Sequence, residues 1–296
     1  MQCILTTNGT LLTPRRQDFL AEHGFVLQLS FDGVPPGQKF RGRGSFRRVE
    51  QHLEVLCTNH PVYARSRVRA QAVLTRAGLP YLAESARYFM DKDVAGIVFQ
   101  PAIGSNGGWS ARDQAVLQEQ MERIVELGTR YWTEHQKVPL ALLHGLLPAN
   151  TSGPGDGFLC GAGVGKGLCV DSTGHGWTCP LFAATLHELP LLARAVSRVV
   201  DVGDVRSPDA WKRLAATRLR TRRFGLLTKH EERYSTYGPC RNCEFEDECF
   251  VCPAAVSHAP DDMDPDRIPD FHCAFNRAAA LARRKFQREA LQRSAH

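Results

Sequence analysis

The crowding of cysteines in the second half of the chain constrains its fold more than any other feature. Eight of the ten cysteines lie after residue 159. The opening residues, MQCILTTNGT, contain no basic segment followed by an apolar run, so no secretory signal is predicted and a cytoplasmic protein is expected. Cysteines there stay reduced, which favours metal binding over a disulfide framework. The eight are Cys160, Cys169, Cys179, Cys240, Cys243, Cys249, Cys252 and Cys273.

The spacing of these cysteines suits four-thiolate sites. Cys240-x2-Cys243 and Cys249-x2-Cys252 each direct two sulfurs and nearby backbone N–H groups at one site, and eight thiolates divide into two four-coordinate sites. Both Zn²⁺ and a [4Fe–4S] cluster use such spacing, so the spacing alone leaves the metal open. The two early cysteines, Cys3 in a strand and Cys57 on an apolar helix face, are interpreted as small buried hydrophobic residues.

Composition excludes several classes of protein. Hydrophobic residues make up 43% and charged residues 23% of the chain, as in ordinary globular proteins. No stretch approaches the roughly 18 apolar residues of a membrane helix, so no membrane association is expected. The net charge is +6, but no nucleic-acid-binding module accompanies the basic residues. Solvated helix faces explain this charge best, and a docking surface for an acidic partner is the alternative.

The first 137 residues alternate short apolar runs with amphipathic stretches. Predicted strands cover residues 3–6, 25–31, 68–74 and 96–99, and a long helix covers about 111–133. Repeated strand–helix units predict a parallel α/β sheet. A complete eight-unit barrel needs about 250 residues, so four units predict a partial barrel or an open sheet.

The rest of the chain has a different pattern. Residues 138–157 form a predicted linker, and residues 158–296 a second domain with a hairpin at 168–182. Helices are predicted at 208–222 and 269–292. The cysteine-dense loop between them has few apolar residues, so we expect a metal to stabilise it.

The order of the motifs resembles a known protein family. Cys160-Gly161-Ala162-Gly163, the spacing Cys160-x13-Gly174-x4-Cys179, the four-cysteine run and Cys273 resemble the SPASM domain, the auxiliary-cluster module of radical S-adenosylmethionine (SAM) enzymes. In the first half, Thr7-Asn8-Gly9-Thr10, Ser30-Phe31-Asp32-Gly33, and Arg41 before Gly44-Ser45-Phe46 resemble strand ends of a radical SAM partial barrel. The implied fold is α/β: a partial radical SAM barrel (1–137) lacking its first strands, followed by a cysteine-rich SPASM domain (158–296).

The resemblance implies cofactors and their residues. It assigns two auxiliary [4Fe–4S] clusters to the second domain and SAM to the first. Asn8, Ser30, Asp32 and Arg41 match cofactor-binding positions, with Arg41 pairing with the methionine carboxylate. The first auxiliary cluster is assigned to Cys160, Cys169, Cys179 and Cys252, and the second to Cys240, Cys243, Cys249 and Cys273.

Two departures from the family pattern bear on function. Radical SAM chemistry uses a Cys-x3-Cys-x2-Cys loop to hold its own cluster with one iron open to SAM, and the sequence contains none. The chain begins at what resembles the third strand, which predicts a start drawn too late, a truncated gene, or a missing half that comes from another chain. This chain alone is therefore expected to be inactive. In the sulfatase-maturating branch an Asp base follows the cysteine that matches Cys179, whereas Pro180 stands here and offers no base.

The leading hypothesis is therefore an oxidoreductase of the radical SAM maturase type that modifies a ribosomally made peptide or protein. Its expected partners are that substrate, a reductant protein and a source of the first barrel strands. A non-catalytic protein that binds Fe–S clusters or peptides is the first alternative. A zinc-stabilised interaction protein is the second.

Overall fold

The computed structural model describes residues 3–104, 108–144, 160–186, 188–222, 227, 232–259 and 264–294. The chain divides into two compact units, the first containing residues 1–102, 109–147 and 277–296, and the second residues 103–108 and 148–276. Residues 277–296, which the sequence analysis placed in the second domain, thus cluster with the first unit. Most of the predicted linker, residues 145–157, lies outside the described residues. None of the helices in these ranges is long and apolar enough to cross a membrane.

The first unit is built on a four-stranded parallel sheet, in agreement with the prediction. The strands neighbour one another in chain order, and each pairs in parallel with the next. All four carboxyl ends therefore lie at one edge of the sheet. The strands are β1 (Ile4–Thr7), β2 (Val26–Ser30), β3 (Val68–Leu74) and β4 (Gly96–Pro101).

Helices connect these strands. The long helix after β4 begins with a capping box, in which the Ser110 hydroxyl accepts from the Asp113 N–H and the Asp113 carboxylate accepts from the Ser110 N–H. The helices are α1 (Pro14–Glu22), α2 (Pro35–Gln38), α3 (Ser45–Asn59), α4 (Pro61–Arg67), α5 (Leu82–Asp91) and α6 (Ala111–His135).

The core of the first unit lies between the helices and one face of the sheet. The apolar positions of α3, Val49, Leu53 and Leu56, are buried as their spacing predicts. Phe31 is fully buried where the chain leaves β2, and its ring packs edge-on against Phe89 of α5 with the centroids 5.5 Å apart. This contact fixes the segment that carries Asp32.

The second unit begins with an antiparallel sheet. The predicted hairpin is confirmed as β5 (Cys169–Val170) and β6 (His175–Trp177), closed by a turn in which the Gly174 N–H donates to the Asp171 carbonyl at 3.1 Å. A third strand, β7 (Asp201–Asp204), pairs with β6 and was not predicted. A short separate pair joins β8 (Tyr234–Ser235) to β9 (Gly238–Pro239).

Five described helices follow β6 along the chain, and the last of them continues from the second unit into residues of the first. The prediction of a single helix over 208–222 is wrong, because the chain forms two helices that meet at Ala216. The helix predicted over 269–292 is confirmed as the final helix. The five are α7 (Leu191–Val200), α8 (Pro208–Ala215), α9 (Thr217–Thr221), α10 (Pro253–Ser257) and α11 (Asp270–Ser294).

An apolar cluster holds the second unit together. Trp177 and Phe182 from the hairpin region join Val196 of α7, and the cysteine-dense loop adds Val251 and Ile268. The segment between α9 and α11 supplies six of the thirteen buried residues of this cluster, so the cysteine-dense loop shares a core with the preceding elements, which its own composition did not indicate. Five half-buried cysteines pack against this cluster: Cys179, Cys240, Cys249, Cys252 and Cys273.

Gly33 allows a close packing contact beside Asp32. Its φ is +97°, and a Cβ there would overlap the Ser85 side chain. Gly42 is a matched control, because its φ is +103° and its Cβ position is open. Both Gly→Ala changes incur the same kind of backbone strain. We expect Gly33→Ala to lower the free energy of unfolding by about 1–3 kcal/mol more than Gly42→Ala, through overpacking. Urea denaturation of both variants measures this, and equal losses would contradict it.

Candidate functional site

The two faces of the parallel sheet differ in polarity. Successive side chains of a strand point to opposite faces, and directly paired residues of parallel strands share a face. One face is buried and apolar, with Leu29, Ala70 and Ile97 in register across β2, β3 and β4. The opposite face is exposed or half-buried apart from Val26, and polar residues make up about half of it. Its polar residues are Thr6, Gln28, Ser30, Arg69, Gln71 and Gln100.

Ser30 and Asn8 lie at the carboxyl edge of this sheet. Ser30 is the last residue of β2, is half-buried, and pairs with Gln71 of β3 on the polar face. Asn8 follows β1 and is exposed, and its side-chain oxygen accepts from the N–H and hydroxyl of Thr10, at 3.1 and 2.8 Å. Ser30 is thus presented on the polar face, whereas Asn8 shapes the turn after β1.

Asp32 and Arg41 form a bidentate ion pair. The Arg41 Nε and Nη2 donate to the two Asp32 carboxylate oxygens at 2.6 and 2.7 Å. The Asp32 side chain is 6% exposed and that of Arg41 25%, so the pair is only partly solvated. Asp32 also accepts from the Val73 N–H of β3 at 2.7 Å. The family resemblance implies that Arg41 pairs with a cofactor carboxylate, but in the structure two of its nitrogens donate to Asp32.

Gln38 supports this pair, and sequence reasoning missed it. Its side chain is buried, and its oxygen accepts from the Asp32 N–H at 2.7 Å. Its nitrogen donates to the Ser45 hydroxyl at 3.4 Å. A lone Gln in a Pro-Pro-Gly-Gln segment carries no sequence signal for such a role, because only the fold places it beside Asp32.

Four cysteines of the second unit form a first group, which we call group 1: Cys160, Cys169, Cys179 and Cys252. The pKa of the Cys179 thiol is raised to about 12, mostly by burial and in part by negative charge on the other three. Burial also raises the pKa of Cys252, with Cys160 adding to the effect. The thiols of group 1 are therefore close enough to repel one another when ionised.

The other four late cysteines form group 2: Cys240, Cys243, Cys249 and Cys273. The pKa of Cys249 is raised to about 12, mostly by burial and in part by charge on the other three. The pKa of Cys240 is raised to about 11, again mostly by burial, with smaller effects from Cys273 and Cys243. Cys273 lies in the first turn of α11, and the Ser235 hydroxyl donates to its sulfur at 3.1 Å.

The Cys249-x2-Cys252 motif divides between the two groups. The charges acting on Cys249 come from Cys273, Cys240 and Cys243, whereas Cys252 responds to Cys160. The chain between them carries the buried Val251. Spacing alone would direct both sulfurs of such a motif at one ion, whereas the family resemblance implies this division, with Cys252 in the first auxiliary cluster and Cys249 in the second.

Each group offers four thiols, a donor set that both Zn²⁺ and a [4Fe–4S] cluster use. Zn²⁺ binds four thiolates at one ion through Zn–S bonds of about 2.3 Å, whereas a [4Fe–4S] cluster binds each thiolate through a different iron. In the described ranges no three His, Cys, Asp or Glu side chains form a group that could hold a metal ion. Backbone N–H groups also donate to the sulfurs, from Leu181 to Cys179 and from Ala254 and Ala255 to Cys252.

The two early cysteines lie apart from these groups. Burial raises the pKa of Cys57 in α3 to about 11, which agrees with its interpretation as a small buried hydrophobic residue. Cys3 is exposed and precedes β1, so the interpretation of Cys3 as buried is wrong. The reason is that β1 lies at the end of the described sheet order, with a neighbour on one side only.

Comparison with known proteins yields structural matches alone. No protein-family model matches the sequence, and no curated protein is significantly similar to it. Native anSMEcpe with bound AdoMet matches with a TM-score of 0.64 and 18% identity, over 98% of this chain and 76% of that chain. The structures with the Cp18Cys and Kp18Cys peptides match at TM-scores of 0.64 and 0.63, with 19% and 18% identity over the same shares. That enzyme is an anaerobic sulfatase-maturating radical SAM/SPASM protein.

This chain has the radical SAM/SPASM fold. At 18% identity the likeness concerns the fold and assigns no role to any side chain. The predicted fold class, a partial α/β barrel followed by a cysteine-rich domain with a hairpin and helices, is confirmed. Within the radical SAM/SPASM fold, the polar sheet face with the Asp32–Arg41 pair and the two cysteine groups are the candidate sites.

The Asp32–Arg41 pair can be tested by a double-mutant cycle. Asp32→Asn and Arg41→Met each break a charge-assisted, partly buried pair, so we expect a coupling energy of about 1.5–3 kcal/mol in urea denaturation. Asp209–Lys212 is the control, because this pair is 3.4 Å apart with both side chains more than 70% exposed. Its coupling should stay below about 0.5 kcal/mol. Equal coupling energies in the two cycles would show that the Asp32–Arg41 pair stabilises the fold no more than an exposed ion pair does.

Proposed function

We propose that this chain is the barrel-and-SPASM part of a radical SAM maturase that acts on a ribosomally made peptide or protein. The observation that carries the proposal is the arrangement of eight late cysteines in two groups of four, within a chain that has the radical SAM/SPASM fold. Group 1 and group 2 would each hold one auxiliary [4Fe–4S] cluster. Bound clusters of this kind carry electrons or anchor a substrate.

The polar face of the sheet is the proposed binding surface for SAM and substrate. Ser30 offers a hydroxyl there at the carboxyl end of β2. Asp32 orients the guanidinium of Arg41 by accepting hydrogen bonds from its Nε and Nη2. The remaining nitrogen, Nη1, is the proposed donor to the SAM carboxylate. Asn8 holds the turn after β1 in shape beside this surface.

A peptide or protein is the proposed substrate. The solved structures with similar folds include anSMEcpe bound to the Cp18Cys and Kp18Cys peptides. Pro180 follows Cys179 and has no side-chain base, which argues against a sulfatase as the substrate of this chain. A different ribosomally made peptide is therefore the better candidate.

A further strand–helix unit is the proposed partner of β1. An open groove of about 1110 Å³ runs between β1 and α1. Its apolar lining includes Leu5, Leu11 and Phe19, which are 37%, 66% and 52% exposed. An additional parallel strand would cover the outer side of β1, and its helix would cover the groove. We propose that an extension of this chain or a second chain supplies this unit, and that a reductant protein supplies electrons.

A non-catalytic role is the second candidate. The observation that favours it is the absence of a Cys-x3-Cys-x2-Cys motif from the 296-residue sequence. Such a protein would bind two clusters and a peptide without acting on SAM. Its cofactor content would equal that of the maturase, so only an activity measurement separates the two.

The metal content tests the assignment of the two groups. Anaerobically reconstituted protein should contain about eight irons per chain. Cys179→Ser in group 1 and Cys249→Ser in group 2 should each remove about half of the iron, and the double variant nearly all of it. Cys57→Ser is the control and should leave the iron content unchanged. Stoichiometric zinc with negligible iron in the wild-type protein would refute the clusters and favour the zinc-stabilised interaction protein.

The activity of the chain alone tests the role of a partner. We expect no 5′-deoxyadenosine from the reconstituted chain with SAM and dithionite, because four-thiolate sites leave no iron open to SAM. Addition of a chain or extension that carries the Cys-x3-Cys-x2-Cys loop should lead to formation of 5′-deoxyadenosine. Multiple-turnover release of 5′-deoxyadenosine by the 296-residue chain alone would contradict this expectation. Failure of every complemented form would instead favour the non-catalytic role.

A further inference from the structure

Arg233 is a fully buried cation in the second unit. Its relative exposure is 0%, and it is the largest side chain among the fully buried residues that the structure describes. A buried guanidinium is costly unless negative or polar groups surround it. The negative groups near Arg233 therefore indicate what compensates its buried charge.

Those negative groups are Asp266 and three cysteines that come from both cysteine groups. Burial lowers the pKa of Arg233, while charge on Cys240, Asp266, Cys252 and Cys249 raises it. Cys240 and Cys249 are members of group 2, and Cys252 is a member of group 1. The guanidinium thus lies within electrostatic reach of both candidate cluster sites.

Hydrogen bonds fix Arg233 in this position. Its carbonyl accepts from the Cys240 N–H at 2.8 Å, which ties its backbone to group 2. Its Nη1 donates to the Val251 carbonyl at 3.5 Å, and Val251 directly precedes Cys252 of group 1. Two residues further along, the Ser235 hydroxyl donates to the Cys273 sulfur at 3.1 Å.

We propose that Arg233 is a positioning and charge-compensating residue placed between the two cysteine groups, and that it raises the reduction potentials of both auxiliary clusters. The inference rests on the proposed function, in which groups 1 and 2 each hold a [4Fe–4S] cluster. Reduction adds one electron, and therefore one negative charge, to a cluster. A nearby buried cation stabilises the reduced form more than the oxidised form, because few water molecules screen the attraction.

The experiment is an anaerobic redox titration of the reconstituted full chain, with each reduced cluster followed by electron paramagnetic resonance. Arg233→Met removes the charge and keeps an unbranched stem, whereas Arg233→Lys keeps the charge. Arg206→Met is the control, because Arg206 is an exposed arginine of the same unit that pairs with Asp204. Arg233→Gln replaces Arg233→Met if the Met variant does not fold.

We expect Arg233→Met to lower the reduced-to-oxidised ratio of both clusters about tenfold at a fixed applied potential, that is, by about 59 mV for a one-electron couple. Arg233→Lys and Arg206→Met should stay within about twofold of the wild type, with iron content unchanged in all variants. An unchanged ratio, a shift in only one cluster, or equal shifts in the Lys and Met variants would overturn the inference. Absence of clusters from the wild-type protein would overturn the proposed function itself, and this inference with it.

Discussion

The partial burial of ionisable thiols is the constraint on which the second unit depends. Its late cysteines are packed against a small apolar cluster, where burial raises the pKa of Cys179 and Cys249 to about 12. Without a compensating positive charge, these thiols remain protonated at neutral pH. Iron binding would supply that charge at each group, and Arg233 would supply it between them. Metal, thiols and one guanidinium then form a single electrostatic system.

The first unit depends instead on the parallel pairing of its four strands. Parallel pairing brings the carboxyl ends of four strands to one edge and leaves one sheet face polar. Asp32 contributes to both features, because it accepts from the Val73 N–H of the neighbouring strand and holds Arg41 through two bonds. A rigid carboxylate at a strand end allows the sheet to present an oriented guanidinium without a long supporting loop.

The order of elements in the first unit could be predicted because its periodicities are local. The apolar spacing of α3 is a property of a short segment, and its apolar side chains are buried as that spacing predicts. The strand predicted over 68–74 is likewise confirmed as β3. The break at Ala216 and the strand β7 could not be predicted in the same way. Residues 201–204 contain two aspartates and a glycine, so their extended form depends on pairing with β6.

The sequence by itself determined the partial parallel barrel, the cysteine-rich second domain, and the number of thiols available to a metal. Those features depend on residue type and spacing along the chain. Only the tertiary structure decided that Arg41 pairs with Asp32, that Gln38 supports this pair, and that Arg233 lies between the two cysteine groups. Such contacts join segments that are distant in sequence, and burial then gives them their strength. Neither their partners nor their burial can be read from local spacing.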